Sequence, residues 1–288
     1  MRGAFVVNKY YTDNGIEYVA ARLSEELNKR GHSLDFTPCP TLCYDSDCGF
    51  NLGGGFDFVI FWNKDYMLAR ALEKSGVRVF NSADAIEVCD DKAKTYLKLS
   101  GSGISVPKTI VAPLVYDVSE ETDLDFIRQV ESYLGYPVVV KENTGSQGRQ
   151  VYLAGTRAEL AALHSSLLHI PHIFQNYVAD ERGVDIRIYV VGGRAVAWCK
   201  RRNTTGFKSN VHMGGRAEKY DAPAALIREA ERIAVALGLD FGSVDFLTGR
   251  THVFAEANSN AYIYAIESLG FDIAGAYAQH IVDSMRWR

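Results

Sequence analysis

The chain has 288 residues, of which 47% are hydrophobic and 23% charged, and its 31 basic and 35 acidic residues give a net charge of −4. These values are typical of globular proteins and exclude a disordered chain, and the lack of a basic excess argues against nucleic-acid binding. The apolar run at residues 4–7 is too short for a signal-peptide core, and no segment is typical of a membrane span, so we expect a cytoplasmic protein without membrane contact. The oligomeric state stays open, with a homo-oligomer as one alternative.

Strands and helices alternate over the first third of the chain. Apolar runs predict strands at residues 4–7, 33–36, 56–62 and 77–80, and apolar residues at helical spacing predict helices over residues 16–27 and 66–74. This alternation predicts a parallel, doubly wound sheet. No G-x-G-x-x-G follows the first strand, so the fingerprint of a dinucleotide-binding fold is absent.

Three of the five cysteines, Cys39, Cys43 and Cys48, lie close together in the sequence. An odd number of cysteines in such a chain favours reduced, free thiols. A zinc site is the alternative, although no fourth ligand follows at the spacing of a zinc ribbon.

The pattern of predicted elements changes after residue 91. Together the two parts of the chain predict the α/β fold class, with a later part of the α+β type. Helices are predicted over residues 92–99, 121–134 and 156–167, and strands at residues 108–111, 138–141, 151–154 and 173–178. The last third predicts strands at residues 184–191, 195–202, 243–247 and 252–258, with a helix over residues 223–237. Apolar residues alternate along residues 184–191, so even-numbered and odd-numbered side chains are expected on opposite faces of a sheet.

The last hairpin carries acidic and amide side chains. If the four-residue loop 248–251 sets the register, Asp245 lies opposite Phe254, and Glu256 and Asn258 share its face, with Glu256 as a diagonal neighbour roughly 7–8 Å away between backbones. Two carboxylates and an amide oxygen suit magnesium. A solvated polar face is the alternative, but a strand otherwise rich in Val, Phe and Ala favours magnesium.

A glycine-rich turn, residues 142–150, follows the apolar strand that ends at Lys141. Its backbone N–H groups suit phosphate oxygens at Gly145, Ser146, Gln147 and Gly148. A mobile hairpin tip is the alternative, and the turn is no Walker A loop because it leads into a strand. A lysine at the end of a buried strand requires an anionic partner, and phosphate would serve.

Two further segments contain polar residues whose pattern is less specific for one function. Residues 175–178 end a strand, and their backbone groups could hydrogen-bond an adenine edge. A basic and polar set suits the oxygens of phosphate or carboxylate groups: Arg187, Arg201, Arg202, Lys208, Ser209 and Asn210. A charged surface strand and loop is the alternative for this set. The histidines at 164, 169 and 172 are interpreted as surface or core imidazoles.

These segments follow one another in an informative order, from NSADAIEVCDDK to GFDIA. Between them come VVVKENTGSQGRQV, FQNYV, GVDIRIYVVGG, RRNTTGFKSNVHMGG, GSVDF and FAEAN. From about residue 79 the chain resembles an ATP-grasp enzyme, most closely the RimK-type branch, the glutamate ligases that modify ribosomal protein. The resemblance implies an ATP-grasp fold with an N-terminal Rossmann-like preATP-grasp domain at residues 1–86. The ATP-grasp domain would cover residues 87–288, with a nucleotide-clamping subdomain at about 105–178 and a core subdomain at about 179–288.

The resemblance also implies roles for individual residues. The nucleotide phosphates would be bound by Lys92 and Lys141 and covered by the loop that contains Gly145, Ser146 and Gly148. The adenine would contact Gln175, Asn176, Tyr177 and Val178, and the ribose Glu181 or Asp185. A further nucleotide contact corresponds to Lys208, Ser209 and Asn210. Magnesium, or manganese in its place, would be held by Asp245, Glu256 and Asn258. The phosphoryl group and the substrate carboxylate would be held by catalytic arginines, Arg187, Arg201 and Arg202.

The implied activity is ATP- and magnesium-dependent ligation of a carboxylate to an amine through an acyl phosphate, with release of ADP and phosphate. An amino acid would be added to an amino acid, a peptide or a protein. Three departures from the family pattern occur: Asn176 replaces an acidic residue, Lys208 replaces an arginine, and Ser259-Asn260-Ala261 replaces Ser-Pro-Gly beside the acceptor site. The last departure argues against assuming glutamate as the substrate, which residues 203–215 and 260–269 would select. A kinase-like ATP-grasp phosphotransferase and a non-catalytic ATP-binding module are the alternatives.

Overall fold

The computed structural model describes residues 1–10, 13–39, 55–117, 119–145, 148–178, 183–203, 216–248 and 251–286. In this part of the chain the strands form three sheets, two of four strands and one of five. None of the helices described is both long enough and apolar enough to cross a lipid bilayer.

The first sheet is parallel and has helices on both faces. Its elements are β1 (Arg2–Asn8), α1 (Asn14–Lys29), β2 (Ser33–Cys39), β3 (Phe58–Trp62), α2 (Tyr66–Lys74), β4 (Arg78–Phe80) and α3 (Ala83–Asp90), in the strand order β2-β1-β3-β4. Phe5 and Val7 of β1 pack with α1, whereas Ala4 and Val6 pack with α2 and α3, because successive side chains of a strand point to opposite faces. The parallel, doubly wound sheet predicted from the alternation is confirmed.

The second sheet is antiparallel and small. With the helix that precedes it, its elements are α4 (Lys92–Leu99), β5 (Thr109–Val111), α5 (Leu124–Leu134), β6 (Val138–Glu142), β7 (Val151–Ala154), α6 (Arg157–Ser166) and β8 (His172–Asn176), in the strand order β5-β8-β6-β7. Ile127 of α5 and Leu160 of α6 share a core cluster with Phe174 of β8. Helix α5 begins at Leu124, and not at residue 121, because the Asp123 side chain caps it there.

The third sheet is antiparallel and has five strands. Its elements are β9 (Val184–Val191), β10 (Arg194–Arg202), β11 (Arg216–Glu218), α7 (Ala224–Leu237), β12 (Phe241–Leu247), β13 (Val253–Asn258), α8 (Tyr264–Glu267) and α9 (Ile273–Arg286), in the strand order β11-β10-β9-β12-β13. Ile186, Ile188 and Val190 pack on the α7 side, whereas Tyr189 and Val191 pack on the α9 side. The alternation predicted along β9 is therefore confirmed. Helix α9 packs against α1 and was not predicted from the sequence.

The β12–β13 pair contains a bulge that changes its register. Phe246 pairs with Phe254, whereas Asp245 pairs with Glu256, so Ala255 is an extra residue in β13. The prediction that Asp245 lies opposite Phe254 is wrong. The physical reason is that a bulge places two residues of one strand opposite one residue of its partner, which no count of loop residues reveals.

Asn81, directly after β4, joins the first sheet to the third. Its buried amide donates to the backbone oxygens of Phe241 and Ser259 at 2.8 Å each. Its side-chain oxygen accepts from the N–H groups of Asp240 and Phe241 at 2.8 and 3.0 Å. Both donors and both acceptor positions of the side chain are satisfied, so this contact fixes the segment after β13 relative to the first sheet.

Candidate active site

One row of charged side chains crosses the third sheet. Arg187 on β9 lies opposite Asp245 on β12, and Asp245 lies opposite Glu256 on β13. Directly opposite residues of antiparallel strands point to the same face, so the three groups share one face of the sheet. Arg187 and Glu256 line a cavity over this face, and Asp245 between them is only 1% exposed.

Two arginines hold Asp245. Its Oδ1 accepts from Arg187 Nε at 2.7 Å, and its Oδ2 accepts from Arg187 Nη2 at 2.6 Å and from Arg201 Nη2 at 2.8 Å. Burial alone would raise the pKa of this carboxyl, but the two guanidinium groups hold its pKa below the ordinary value. Burial also opposes the charge on Arg187, yet the Asp245 carboxylate keeps the Arg187 pKa well above its ordinary value. The network therefore remains ionised at neutral pH.

Asp185 extends this network on the same face. Its Oδ1 accepts from Arg201 Nε at 2.7 Å, and its Oδ2 accepts from Arg201 Nη2. The family resemblance implies that Asp185 or Glu181 contacts the ribose of the nucleotide. Both Asp185 oxygens are bound to Arg201 in a buried ion pair, so the structure places this carboxylate in the arginine network, and its contact with a ribose stays a prediction. Glu181, the other candidate, lies outside the described residues.

Glu256 and Asn258 face the cavity from β13, and the Asn258 amide donates to Glu256 Oε1 at 3.3 Å. With Asp245 they form a set of oxygen donors on two neighbouring strands. The direct Asp245–Glu256 pairing brings the two backbones closer at these residues than the diagonal placement expected from the sequence. Such hard oxygen donors fit magnesium. The described residues contain no group of three His, Cys, Asp or Glu side chains able to hold a metal, so the Asn258 oxygen is needed to complete the set.

A narrow pocket adjoins the same pair of residues. Lys92 and Gly145 line it together with Glu256 and Asn258. Lys92 is the first residue of α4 and is buried, and its Nζ donates to the Asn143 backbone oxygen at 3.4 Å. A buried ammonium and a glycine turn thus border the same narrow space, a combination that suits an anionic ligand.

Lys141, in β6, lies close to Lys92 and Glu256. Burial lowers the pKa of Lys141 to about 8; the Glu256 charge opposes this effect and the Lys92 charge adds to it. Burial also lowers the pKa of Lys92, again against the charge of Glu256. Two desolvated ammonium groups beside one carboxylate favour a further anion, and a polyphosphate has the required charge.

A cavity of about 690 Å³ lies over the sheet face that carries Arg187 and Arg201. Its opposite wall comes from the carboxyl ends of β1 and β3 and from the first turn of α1, with Asn8, Asn14, Gly15, Ile16, Trp62, Asn63 and Lys64. The sequence reasoning missed this wall. The signal that could have found it is positional, because ligands of parallel α/β sheets bind outside the carboxyl ends of the strands, where Asn8 and Asn63 stand.

The segment after β13 contributes a third side of the cavity. Residues 260–269 were expected to select substrates, and the structure brings five of them to the cavity: Asn260, Ala261, Tyr262, Tyr264 and Ala265.

Arg202, unlike Arg187 and Arg201, does not face the cavity. It is the chain neighbour of Arg201 in β10, so its side chain points to the other face of the strand. It lies 3.8 Å from Glu218 and is not among the described residues that line the cavity, so the structure does not bring it together with Arg187 and Arg201.

The expected adenine segment lies at the end of β8. Gln175 is buried, and its amide donates to Thr109 Oγ1 at 2.9 Å. Asn176 Oδ1 accepts from the Lys108 N–H at 2.7 Å. Tyr177 and Val178 follow the strand and are half-buried, as is Gly148 in the glycine turn. Six expected site residues and two cysteines lie outside the described residues: Ser146, Gln147, Glu181, Lys208, Ser209, Asn210, Cys43 and Cys48.

Comparison with known proteins identifies the family. A model of the RimK-like ATP-grasp domain matches residues 89–281. A probable alpha-L-glutamate ligase from Xanthomonas oryzae pv. oryzae is 34% identical, over 93% of this chain and 95% of the relative. Human N-acetylaspartylglutamate synthase A is 32% identical over 76% of this chain and 56% of its own length.

Solved structures share the fold. A RimK domain ATP-grasp protein from Sphaerobacter thermophilus superposes with a TM-score of 0.77 at 23% identity, covering 97% of this chain and 99% of the other. D-alanine–D-alanine ligase from Bacillus anthracis, complexed with ATP, gives 0.70 at 16% identity, covering 99% and 97%. The chain therefore belongs to the RimK-like ATP-grasp family. It is an ATP-grasp ligase, and membership of this family implies the use of ATP.

Proposed function

We propose that the protein joins a carboxylate to an amine in a reaction that converts ATP to ADP and phosphate. The observation that carries the proposal is the position of Glu256 and Asn258, which line both the narrow pocket beside Lys92 and the large cavity beside Arg187. A phosphate donor bound beside Lys92 and Lys141 and an acceptor bound in the cavity would meet at these two side chains.

Each group of residues has a distinct role in this proposal. Lys92 and Lys141 bind the phosphates, and the turn with Gly145 and Gly148 closes over them. Magnesium would be held by Asp245, Glu256 and Asn258, and when bound it supplies positive charge to the polyphosphate. Arg187 and Arg201 bind the acceptor carboxylate at the edge of the network, since guanidinium groups match carboxylate oxygens in pairs.

The reaction proceeds in two displacements. A carboxylate oxygen of the acceptor attacks the terminal phosphorus, the bond to ADP breaks, and an acyl phosphate forms. The amine nitrogen then attacks the acyl carbon, phosphate leaves with the bonding electrons, and the nitrogen loses a proton to give the amide. The side chains contribute position and charge and form no covalent bond themselves.

The remaining nucleotide contacts are proposed from the family resemblance. They comprise Gln175, Asn176, Tyr177 and Val178 for the adenine, Glu181 or Asp185 for the ribose, and Lys208, Ser209 and Asn210 for the phosphates. A preATP-grasp domain at residues 1–86, with the ATP-grasp domain at residues 87–288, is supported by the start of the family match at residue 89. The names of the relatives support an amino acid as one substrate.

The test is product formation from Mg·ATP in the presence of hydroxylamine and a panel of amino acids and small carboxylates. Hydroxylamine traps an acyl phosphate as a hydroxamate, so ADP together with a hydroxamate from one carboxylate is the expected result. AMP as the product would overturn the mechanism. ADP with a stable phosphorylated acceptor and no hydroxamate would identify a kinase-like phosphotransferase instead.

A further inference from the structure

Several aromatic rings line the large cavity. Five of its described lining residues are aromatic, and they come from all of its sides: Tyr18, Trp62, Tyr189, Tyr262 and Tyr264. The Tyr18 and Tyr264 rings pack edge to face with their centroids 5.2 Å apart. Aromatic rings bury a large apolar area at fixed positions, which suits them to binding a ligand with apolar or aromatic surface.

Three of these tyrosines already use their hydroxyl groups inside the protein. Tyr18 donates to Glu267 Oε2, Tyr189 donates to the Tyr262 backbone oxygen, and Tyr262 donates to Asp13 Oδ2, each at 2.8 Å. These hydroxyls are therefore oriented by protein acceptors. What the three side chains offer to the cavity is mainly ring carbon.

The positive charges of the cavity are also matched within the protein. Among the lining residues that the structure describes there are three cations, Lys64, Arg187 and Arg201. Lys64 forms an ion pair with Asp90, Arg187 with Asp245, and Arg201 with Asp185 and Asp245. An acceptor carboxylate bound beside Arg187 and Arg201 would leave the N-terminal wall with Lys64 as its one described cation, and that cation is paired.

The N-terminus of helix α1, which would otherwise attract an anion, carries its own. The Asp13 carboxylate accepts from the Ile16 N–H at 2.9 Å and caps the helix beside the cavity, and Glu17 lies in the same turn. Negative side chains at this position offset the positive end of the helix dipole.

We propose that the cavity selects an amino-acid substrate with an uncharged, preferentially aromatic side chain, which packs against the wall formed by Ile16, Tyr18, Trp62, Tyr262 and Tyr264. A glutamate side chain would bring a second carboxylate to a wall whose one described cation, Lys64, is already paired with Asp90, and desolvating an unpaired carboxylate is costly. This inference rests on the proposed function, because it assigns the substrate class of the same site.

Binding to the full chain in the presence of magnesium and a non-hydrolysable ATP analogue tests the proposal directly. Titration calorimetry would compare L-phenylalanine, L-glutamine and L-glutamate, in which glutamine has the shape of glutamate without its side-chain charge. We expect L-phenylalanine to bind at least about tenfold more tightly than L-glutamate, with L-glutamine between them. Equal or tighter binding of L-glutamate, or no measurable binding of any of the three, would overturn it.

Two pairs of variants connect the preference to the wall. Asn14→Arg adds a cation at the exposed start of α1, which lines the cavity, and should raise L-glutamate affinity at least about fivefold. Asn28→Arg, at the exposed far end of the same helix, should leave the affinity for L-glutamate unchanged.

The second pair of variants tests the aromatic wall. Tyr264→Ser should weaken L-phenylalanine binding about tenfold, whereas Tyr116→Ser, on an 86% exposed side chain outside the cavity, should not. An equal response of the two members of either pair would contradict the assignment of the wall.

Different results would contradict the proposed substrate class and the proposed ligase function. If the protein formed amides but preferred acidic amino acids in both turnover and binding, the substrate class would be wrong and the ligase function right. If L-phenylalanine bound tightly but hydroxamate and amide never formed, the pocket assignment would stand and the proposed reaction would fail.

Discussion

Asp245 and Glu256 stand directly opposite each other on neighbouring antiparallel strands. Like charges in this position repel each other, because the backbones of opposite residues are only about 4.5–5.5 Å apart. Asp245 has two arginines to offset its charge, whereas Glu256 shares its hydrogen bond with the neutral Asn258 amide. Lys92 and Lys141 are the cations near Glu256, and a magnesium ion held by both carboxylates would further offset the repulsion between Asp245 and Glu256.

Replacement of Glu256 by glutamine should abolish turnover without unfolding the protein. The variant removes one negative oxygen donor but retains the shape of the side chain, so we expect ADP formation to fall at least about 100-fold while the protein remains folded. Coupled ADP release and urea denaturation are the measurements. Glu218→Gln, on the exposed side of β11, is the matched control, and full activity in the Glu256 variant would contradict the site assignment.

Replacement of Asp245 by asparagine should affect stability as well as activity. It leaves the buried Arg201 with Asp185 alone and removes the partner of Arg187, and breaking a buried ion pair typically costs about 3–5 kcal/mol. We expect the urea midpoint to fall accordingly and ADP formation to be lost. Asp125→Asn removes an exposed ion pair with Arg128, which is worth less than about 1 kcal/mol. Similar destabilisation in the two variants would argue against the buried network.

Replacement of Lys141 by methionine should weaken nucleotide binding and not folding. A charge-assisted hydrogen bond to phosphate is worth about 1.5–3 kcal/mol, so the dissociation constant for Mg·ATP should rise by a factor of about 10–100. Without nucleotide, the variant removes a desolvated charge beside Lys92, so its stability should be equal or higher. Calorimetry with ATP and urea denaturation test both parts. Lys98→Met, at an exposed position of α4, should change neither, and unaltered ATP affinity in the Lys141 variant would remove this lysine from the site.

The buried pair His164 and His172 should make the protein sensitive to acid. His164 Nδ1 lies 2.9 Å from His172 Nε2, and burial, with the neighbouring His172, lowers the pKa of His164 to about 4. The unfolded chain binds this proton near the ordinary value of about 6.5. The stabilisation is therefore fully present above pH 6.5 and is lost as the pH falls from 6.5 to 4, by an amount on the order of 3 kcal/mol.

The matching measurement is the free energy of unfolding in urea between pH 7 and pH 4. His164→Leu should flatten this dependence, whereas His169→Gln, at an exposed histidine, should retain it. A wild-type stability that does not fall across this range would refute the expected effect.

Local periodicity predicted most of the fold. The alternation of apolar runs and helical spacing identified β1, α1, β3 and α2, because the side that each residue presents depends only on its position within its own element. The order of polar motifs also predicted that Asp245, Glu256 and Asn258 lie on one hairpin, and the structure has them there. Arg202 follows Arg201 directly in one strand, and this position already puts the two side chains on opposite faces.

The sequence by itself determined the chemical types that this protein offers: oxygen donors for a metal, desolvated lysines for phosphates, and arginines for a carboxylate. Only the tertiary structure decided how they meet. The bulge at Ala255 sets Asp245 opposite Glu256, and the cavity joins Asn8 and Trp62 from the start of the chain to Tyr262 near its end. Register and cavity walls are set by packing between elements that are distant along the chain, and this packing leaves no periodic signal within any one of them.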